Sequence, residues 1–409
     1  MLPKICLANF PNLTFPNKPI IADNPRTSDF MRSLLRDEIL KTADVIVVKV
    51  GTNVLTHVNG LLNEERIAKL TEDLCGMIAR KKKVVLISSG AVGSGMGCLG
   101  LTERPTELAP LQAVAAIGQG KLIETYERYL ARFGVHPAQI LLTADDLSNR
   151  KRYLNARNTL HALFDYGALP IINENDTVSV SELHTTFGDN DRLASLVANL
   201  FESPLLILLT DVDGLFDRDP SDPAAQLVSV VKRWTPDLMA MVTEKRSGRS
   251  KGGMASKLKA AKMITGSGGN VIIANGDKSG TLADLFDGME VGTIFLAQDG
   301  YLSARKRWIG FAVRPEGRLV LDDGAVAAVR DSGKSLLPIG VVDAHGAFEK
   351  GALVSLVDKS DNEIARGLTN YGLKDVLLIH GKKTNEIREI LGPTVYAEVV
   401  HRDNLQVVD

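Results

Sequence analysis

Residues 43–51 read Ala-Asp-Val-Ile-Val-Val-Lys-Val-Gly, a nearly unbroken β-branched run that stops at Gly51. Without the alternation of a half-exposed strand, such a run suits a strand buried on both faces. Lys49 is the anomaly, because a buried ammonium needs a counter-charge. At the carboxyl end of a strand its head reaches a phosphate; otherwise its stem packs while the head finds water. Both readings are open at this point.

The same texture recurs along the chain. Asn63 is placed to cap a helix in which Ile67, Leu70, Leu74 and Ile78 recur at helical spacing. Lys83–Ser88 (KVVLIS) is a second buried strand and runs into the glycine-rich SGAVGSGMGCLG. A long helix is expected over 108–132 and a strand over 139–143. The alternation continues with helix 154–166, strand 169–172, helix 190–201, strand 204–210, helix 254–265, strand 270–274 and a last strand near 293–296. It predicts an α/β fold of three α/β/α layers around a mainly parallel sheet. Ligands of such sheets bind at the carboxyl ends of the strands, where the Gly-, Asn-, Asp- and Lys-rich segments fall.

After Lys306-Arg307-Trp308 the texture changes. Residues 314–400 carry short β-like runs (RLVLDDGAVAAV, GALVSLVD, EIARGLTNY) between glycine turns and predict a separate small β-rich domain. Residues 41–300 then form the main domain, 301–313 a linker, and 1–40 an N-terminal extension open to disorder, with Met31 a second candidate start.

At 409 residues the chain exceeds one ordinary core. A formal net charge of −1 excludes the wholesale basic character of a dedicated nucleic-acid binder. Cys6, Cys75 and Cys98 lie far apart without zinc spacing, as expected of reduced thiols in a cytoplasmic protein. No apolar run approaches the roughly 20 residues that span a bilayer, and the proline-broken opening is a poor signal peptide.

Two phosphate motifs are decoys. Gly95-Met-Gly97-Cys-Leu-Gly100 matches G-x-G-x-x-G, but the region beyond it is proline-interrupted and then helical, without an acidic strand end. Gly333-Lys334-Ser335 resembles the end of a P-loop, yet Ala328 stands where the leading Gly belongs.

Other segments hold more chemistry. Ser88-Ser89-Gly90-Ala91 exposes N–H groups suited to a carboxylate or phosphate, and serves equally as a strand-to-helix turn. Asn173-Glu174-Asn175-Asp176 and Gly188-Asp189-Asn190-Asp191 are turn formers and caps, but also the groups that hold an ammonium, orient lysines and bind Mg²⁺. Thr210-Asp211 ends the apolar PLLILLT, and Asp213-Gly214 continues as a turn. Ser250-Lys251-Gly252-Gly253-Met254 feeds a helix with Lys257 one turn on, as a phosphate-binding loop or a flexible surface loop would.

In order, VVKVGTNVL, LISSGAVGSG, LNARNTL, PIINENDTVS, FGDNDRLAS, LLTDVDGLF and GGMASKLKAA, followed by RKRWI and a PUA-like C-terminal domain, resemble the amino-acid kinase family over roughly residues 43–400. INENDTV with GDND is similar to the branch that phosphorylates the γ-carboxylate of L-glutamate to L-glutamyl 5-phosphate, the first step toward proline. The resemblance implies that Lys49 and Lys257 neutralise the transferring phosphoryl group while Asp191 positions them. It implies glutamate binding by Ser89, Asp176 and Asn190, with Asn173 and Asp189 nearby. ATP would lie on Lys49, Thr210, Asp211, Lys251, Gly252, Gly253, Met254, Ala255, Ser256 and Lys257, assisted by Mg²⁺ with no ligand set assigned. The family loop reads close to Gly-Thr-Gly-Gly-Met, so Lys251 is a departure. Proline as feedback inhibitor, a homo-oligomer and a downstream glutamyl-phosphate reductase are also implied. In the PUA-like domain Arg314, Arg318, Arg330, Lys334 and Arg366 are interspersed with Asp322, Asp323, Asp331 and Asp343, without the basic-aromatic stripe of an RNA binder, so a structural or regulatory role is expected there.

Overall fold

Val45–Val50 is a strand with all six residues buried, in the middle of an eight-stranded sheet. The computed structural model describes residues 34–57, 59–178, 189–238, 253–298, 304–312, 314–392 and 396–408. The sheet comprises β1 (Val45–Val50), β2 (Lys83–Ile87), β3 (Pro137–Leu142), β4 (Leu169–Glu174), β5 (Leu205–Thr210), β6 (Val230–Val231), β7 (Asn270–Asn275) and β8 (Thr293–Phe295). Their order is β3-β4-β2-β1-β5-β7-β8-β6, and neighbours run parallel except β7 and β8.

The period-two alternation of β1 decides which side Lys49 takes. Val45 and Val47 join a core with Leu193, Leu196 and Leu258, whereas Ile46, Val48 and Val50 join one with Ile67, Leu70 and Leu74. Lys49 therefore shares the face covered by the helices Asp189–Ala198 and Gly253–Gly266. Asn63 caps the helix Glu64–Ala79 by accepting from the Arg66 amide. The helix expected from 154 begins at Arg150, because Asn149 accepts from the Lys151 and Arg152 amides.

The glycine-rich stretch after β2 is built for helix contact. Its helix Ala91–Leu99 lies against Leu108–Leu130, where a Cβ at Gly118 would stand 1.8 Å from the Ala91 carbonyl oxygen, and one at Gly95 would stand 1.9 Å from that of Val114. The G-x-G-x-x-G match thus reflects close packing.

The main domain begins before residue 41. Leu34–Thr42 is a helix that places Ile39 and Leu40 in the core. Its Arg36 is fully buried and donates to the carbonyls of Ser229, Val291 and Gly292. This corrects the extension expected over 1–40; its first 33 residues, Met31 among them, lie outside the described residues.

The C-terminal sheet consists of β9 (Gly317–Leu321), β10 (Val341–Gly346), β11 (Leu353–Val357), β12 (Glu363–Thr369) and β13 (Val400–Val407), in the order β10-β9-β11-β12-β13. It has its own core, including Leu319, Val354, Ala365 and Leu405. Two expectations change here. The second half of RLVLDDGAVAAV is the helix Asp323–Arg330, because Asp322 accepts from the Ala325 amide and the alanines favour a helix. The last strand also runs beyond 400. The sheet is fastened to the linker by Arg366, which donates to the Gly310 carbonyl. Among the described residues, no helix is long and apolar enough to cross a membrane.

Candidate active site

The carboxyl ends of β1, β2, β4 and β5 converge on one buried carboxylate. Asp191, in the first turn of Asp189–Ala198, is 1% exposed. The Lys49 ammonium lies 2.6 Å from its Oδ1 and the Lys257 ammonium 3.4 Å from its Oδ2. The Ser256 hydroxyl donates to the same Oδ2 at 2.6 Å. Lys257 Nζ also donates to the Gly253 carbonyl at 3.3 Å. Burial works against ionisation of Asp191, but the charges of Lys49 and then Lys257 outweigh it and hold the carboxyl below its usual range. The arrangement is two cations from two elements, aimed by one anion.

Beside it lies a polar pocket. Asn190 Nδ2 donates to Ser89 Oγ at 3.0 Å, to the Ser88 carbonyl at 3.2 Å and to Asn173 Oδ1 at 3.4 Å. Among the described residues its Oδ1 is buried without a hydrogen-bond partner. A buried acceptor left open in this way is costly unless a donor arrives, and an ammonium is such a donor. Asp176 follows on the same loop. Burial pushes its carboxyl up to about 6, against the opposing Gln119 hydrogen bond and Arg104 charge. Gln119 donates to Asp176 Oδ2 at 3.4 Å.

At the end of β5, Thr210 Oγ1 donates to Asp211 Oδ1 at 3.0 Å and Asn53 Nδ2 donates to Asp211 Oδ2 at 3.1 Å. Burial raises the Asp211 carboxyl, yet Asn53, Thr210 and the Lys257 charge bring it below its ordinary value. Asp213 is held by Asn275 at 2.8 Å and Lys278 at 2.7 Å.

These contacts gather Lys49, Asp191, Ser256 and Lys257 at one point, with Ser89 and Asn190 alongside. Gly253–Gly266 begins at Gly253, so Met254 and Ala255 fall in its first turn beside Ser256. Lys251, Gly252 and Gly188 lie outside the described residues, as does the side chain of Asp189. Gln119 and Asn53 were not singled out from the sequence. The available signal was Gln119 itself, an amide on the buried stripe of Leu108–Leu130 beside Gly118.

The Amino acid kinase family matches over residues 44–275, and the PUA domain over 317–391. A "Glutamate 5-kinase" of Thermoanaerobacter sp. (strain X514) is 47% identical over 365 residues, covering 89% of this chain and 98% of that protein.

The chain belongs to the amino acid kinase family.

A second relative in the family, "Glutamate 5-kinase" of Moorella thermoacetica, is 47% identical over 371 residues, 90% of this chain and 97% of that one. A solved carbamate kinase from Giardia lamblia bound to AMP-PNP aligns with 63% of this chain and 99% of that one, at 17% identity and a TM-score of 0.45, too low to carry an argument. The family assignment rests on the sequence relatives, which span both domains.

Proposed function

We propose that this protein transfers the γ-phosphoryl group of ATP to the side-chain carboxylate of L-glutamate, giving L-glutamyl 5-phosphate and ADP, as the names of its relatives suggest. The observation that carries this reading is the Lys49–Asp191–Lys257 cluster adjoining the pocket of Ser89, Asn173 and Asn190. A γ-carboxylate oxygen attacks the γ-phosphorus as the bond to the bridging oxygen of ADP breaks. The carboxylate is already a competent nucleophile, so no general base is needed, and catalysis reduces to alignment and charge stabilisation.

Within this reading, Lys49 and Lys257 meet the negative charge of the transferring group, and Asp191 fixes both ammonium heads. The glutamate ammonium takes the open Asn190 Oδ1 and the Asp176 carboxylate. Ser89 and the amides after β2 meet a substrate carboxylate. The nucleotide lies over Thr210, Asp211 and the start of the helix Gly253–Gly266. Mg²⁺ would neutralise phosphate charge. Among the described residues no three or more His, Cys, Asp or Glu side chains cluster around a metal-sized site. Both Asp191 oxygens and both Asp211 oxygens are already engaged. The donor set thus fits an ion held chiefly by phosphate oxygens and water.

Purified protein with Mg-ATP, glutamate and hydroxylamine tests this directly, since hydroxylamine traps an acyl phosphate as a hydroxamate. Glutamate-dependent hydroxamate with matching ADP is expected. Product with aspartate or N-acetylglutamate alone, or none at all, would overturn the assignment. Proline inhibition, self-association and hand-over to a reductase belong to the same proposal and are read from proline titration, sedimentation and coupled turnover.

A further inference from the structure

A second group of cations lies apart from Lys49 and Lys257, where the helix Arg150–Asp165 meets the linker segment Ala304–Arg307 and Trp308. The Arg150 guanidinium carbon sits 5.4 Å from the centre of the Tyr153 ring and 5.1 Å from that of Trp308. Tyr153 is fully buried and tied by its hydroxyl to the Asn199 carbonyl at 2.9 Å. The rings hold the cation in place but offer no oxygen to its N–H groups. Among the described residues, Arg150 Nη1 is buried without a hydrogen-bond partner, and so is the indole Nε1 of Trp308, a residue only 7% exposed.

The charges around Arg150 sharpen the anomaly. Besides Tyr153, the groups acting on it are the guanidiniums of Arg157 and Arg305, both of its own sign. Among the described residues, none of these three arginines has a carboxylate partner. Two acids of this region act on other arginines: Asp146 accepts from Arg152 at 2.7 Å, and Glu202 acts on Arg307. Two buried donors without acceptors, among three like charges, are unfavourable as they stand. An oxyanion supplies the acceptors that such donors lack, and guanidinium forks match its geometry.

We propose that Arg150, Arg157, Arg305 and the Trp308 indole N–H form a binding site for a phosphate-type oxyanion at the joint between the two domains. Three cations facing one ligand favour a dianion, inorganic phosphate or a phosphate monoester, over a single carboxylate. The ligand ties the start of the Arg150–Asp165 helix to the linker that leads into the C-terminal sheet, so occupancy stiffens that joint.

The chain has two tryptophans, so Trp234→Phe in the full-length protein leaves Trp308 as the sole indole reporter. Inorganic phosphate, glycerol phosphate and acetate are titrated separately at constant ionic strength, with saturating Mg-AMP-PNP to keep phosphate off Lys49 and Lys257. Saturable changes in Trp308 emission are expected with phosphate, the monoester or both, distinguishing the two sources, and none with acetate. Arg157→Gln with Arg305→Gln should weaken the apparent affinity roughly tenfold or more. Each single variant, at a side chain that is not fully buried, should weaken it by a smaller factor. No saturable response to either phosphate, an equal response to acetate, or unchanged affinity in the variants would overturn the site. Because the readout is fluorescence, failure here is separable from failure of the kinase assignment.

Discussion

Replacing Asp191 with Asn keeps the size of the side chain and removes the one anion between two buried lysines. At an effective dielectric of about 20, the contacts of 2.6 Å and 3.4 Å correspond to gross attractions of about 6 and about 5 kcal/mol. Desolvation cancels much of that in the native protein, but the variant keeps both buried ammonium groups without their counter-charge. Breaking a buried pair from one side costs about 3–5 kcal/mol, and Asp191→Asn is expected to lose stability in that range by urea unfolding. Nucleotide phosphates supply the missing negative charge, so Mg-ATP should raise the melting temperature more in the variant than in the parent. Turnover in the hydroxamate assay should fall roughly 10²–10³-fold, because the lysine heads are no longer aimed. The pH dependence has a definite sign. A carboxyl held below its ordinary 3.8 contributes fully above that value and loses its contribution as pH falls through the lowered one. The parent should therefore show an acid loss of stability below about pH 4 that the variant lacks. A variant within about 0.5 kcal/mol of the parent in stability and within about threefold in kcat would refute the reasoning.

Lys257→Ala and Lys49→Ala should each lower kcat roughly 10²-fold or more with smaller changes in glutamate KM, measured by hydroxamate formation. Asp176, pushed up to about 6, must ionise to hold an ammonium, so glutamate KM should rise as pH falls through about 6. Asp176→Asn should give a high KM with no such inflection; an inflection that persists assigns the titration elsewhere. Its effect on stability has the opposite sign to that of Asp191, since protonating a carboxyl raised by burial favours the fold. Gly118→Ala drives a Cβ to 1.8 Å from the Ala91 carbonyl oxygen, and should cost about 1–3 kcal/mol or more in urea unfolding as the two helices are forced apart.

The alternating strands and helices of the main domain were legible because their signals are local: β-branched runs ending at small or polar residues, and apolar positions at helical spacing. Boundaries were less so where a single side chain decides them, as when Asn149 starts a helix four residues early or Asp322 turns an apparent strand into a helix. In the site, the lysines and the Asx clusters stood out by chemical type. Their roles came from family resemblance, since no local pattern brings Lys49 to a carboxylate 142 positions away. Gln119 and Asn53 stayed hidden for the same reason, each meeting its partner only after the sheet has formed. The Gly95–Gly100 motif could be dismissed as a dinucleotide loop, but only the helix contact at Ala91 and Val114 tells what Gly95 and Gly118 do.

The buried guanidinium of Arg36 clasps carbonyls of residues 193 and 256 positions later in the chain. During synthesis this arginine leaves the ribosome first and waits for the far edge of its own sheet. At about 5–20 residues per second, that wait lasts roughly ten to fifty seconds. Until Gly292 emerges, the nascent domain keeps one side open and the cation hydrated, so vectorial folding cannot seal it. Closure of this clasp marks the moment when the catalytic domain stops being a growing chain.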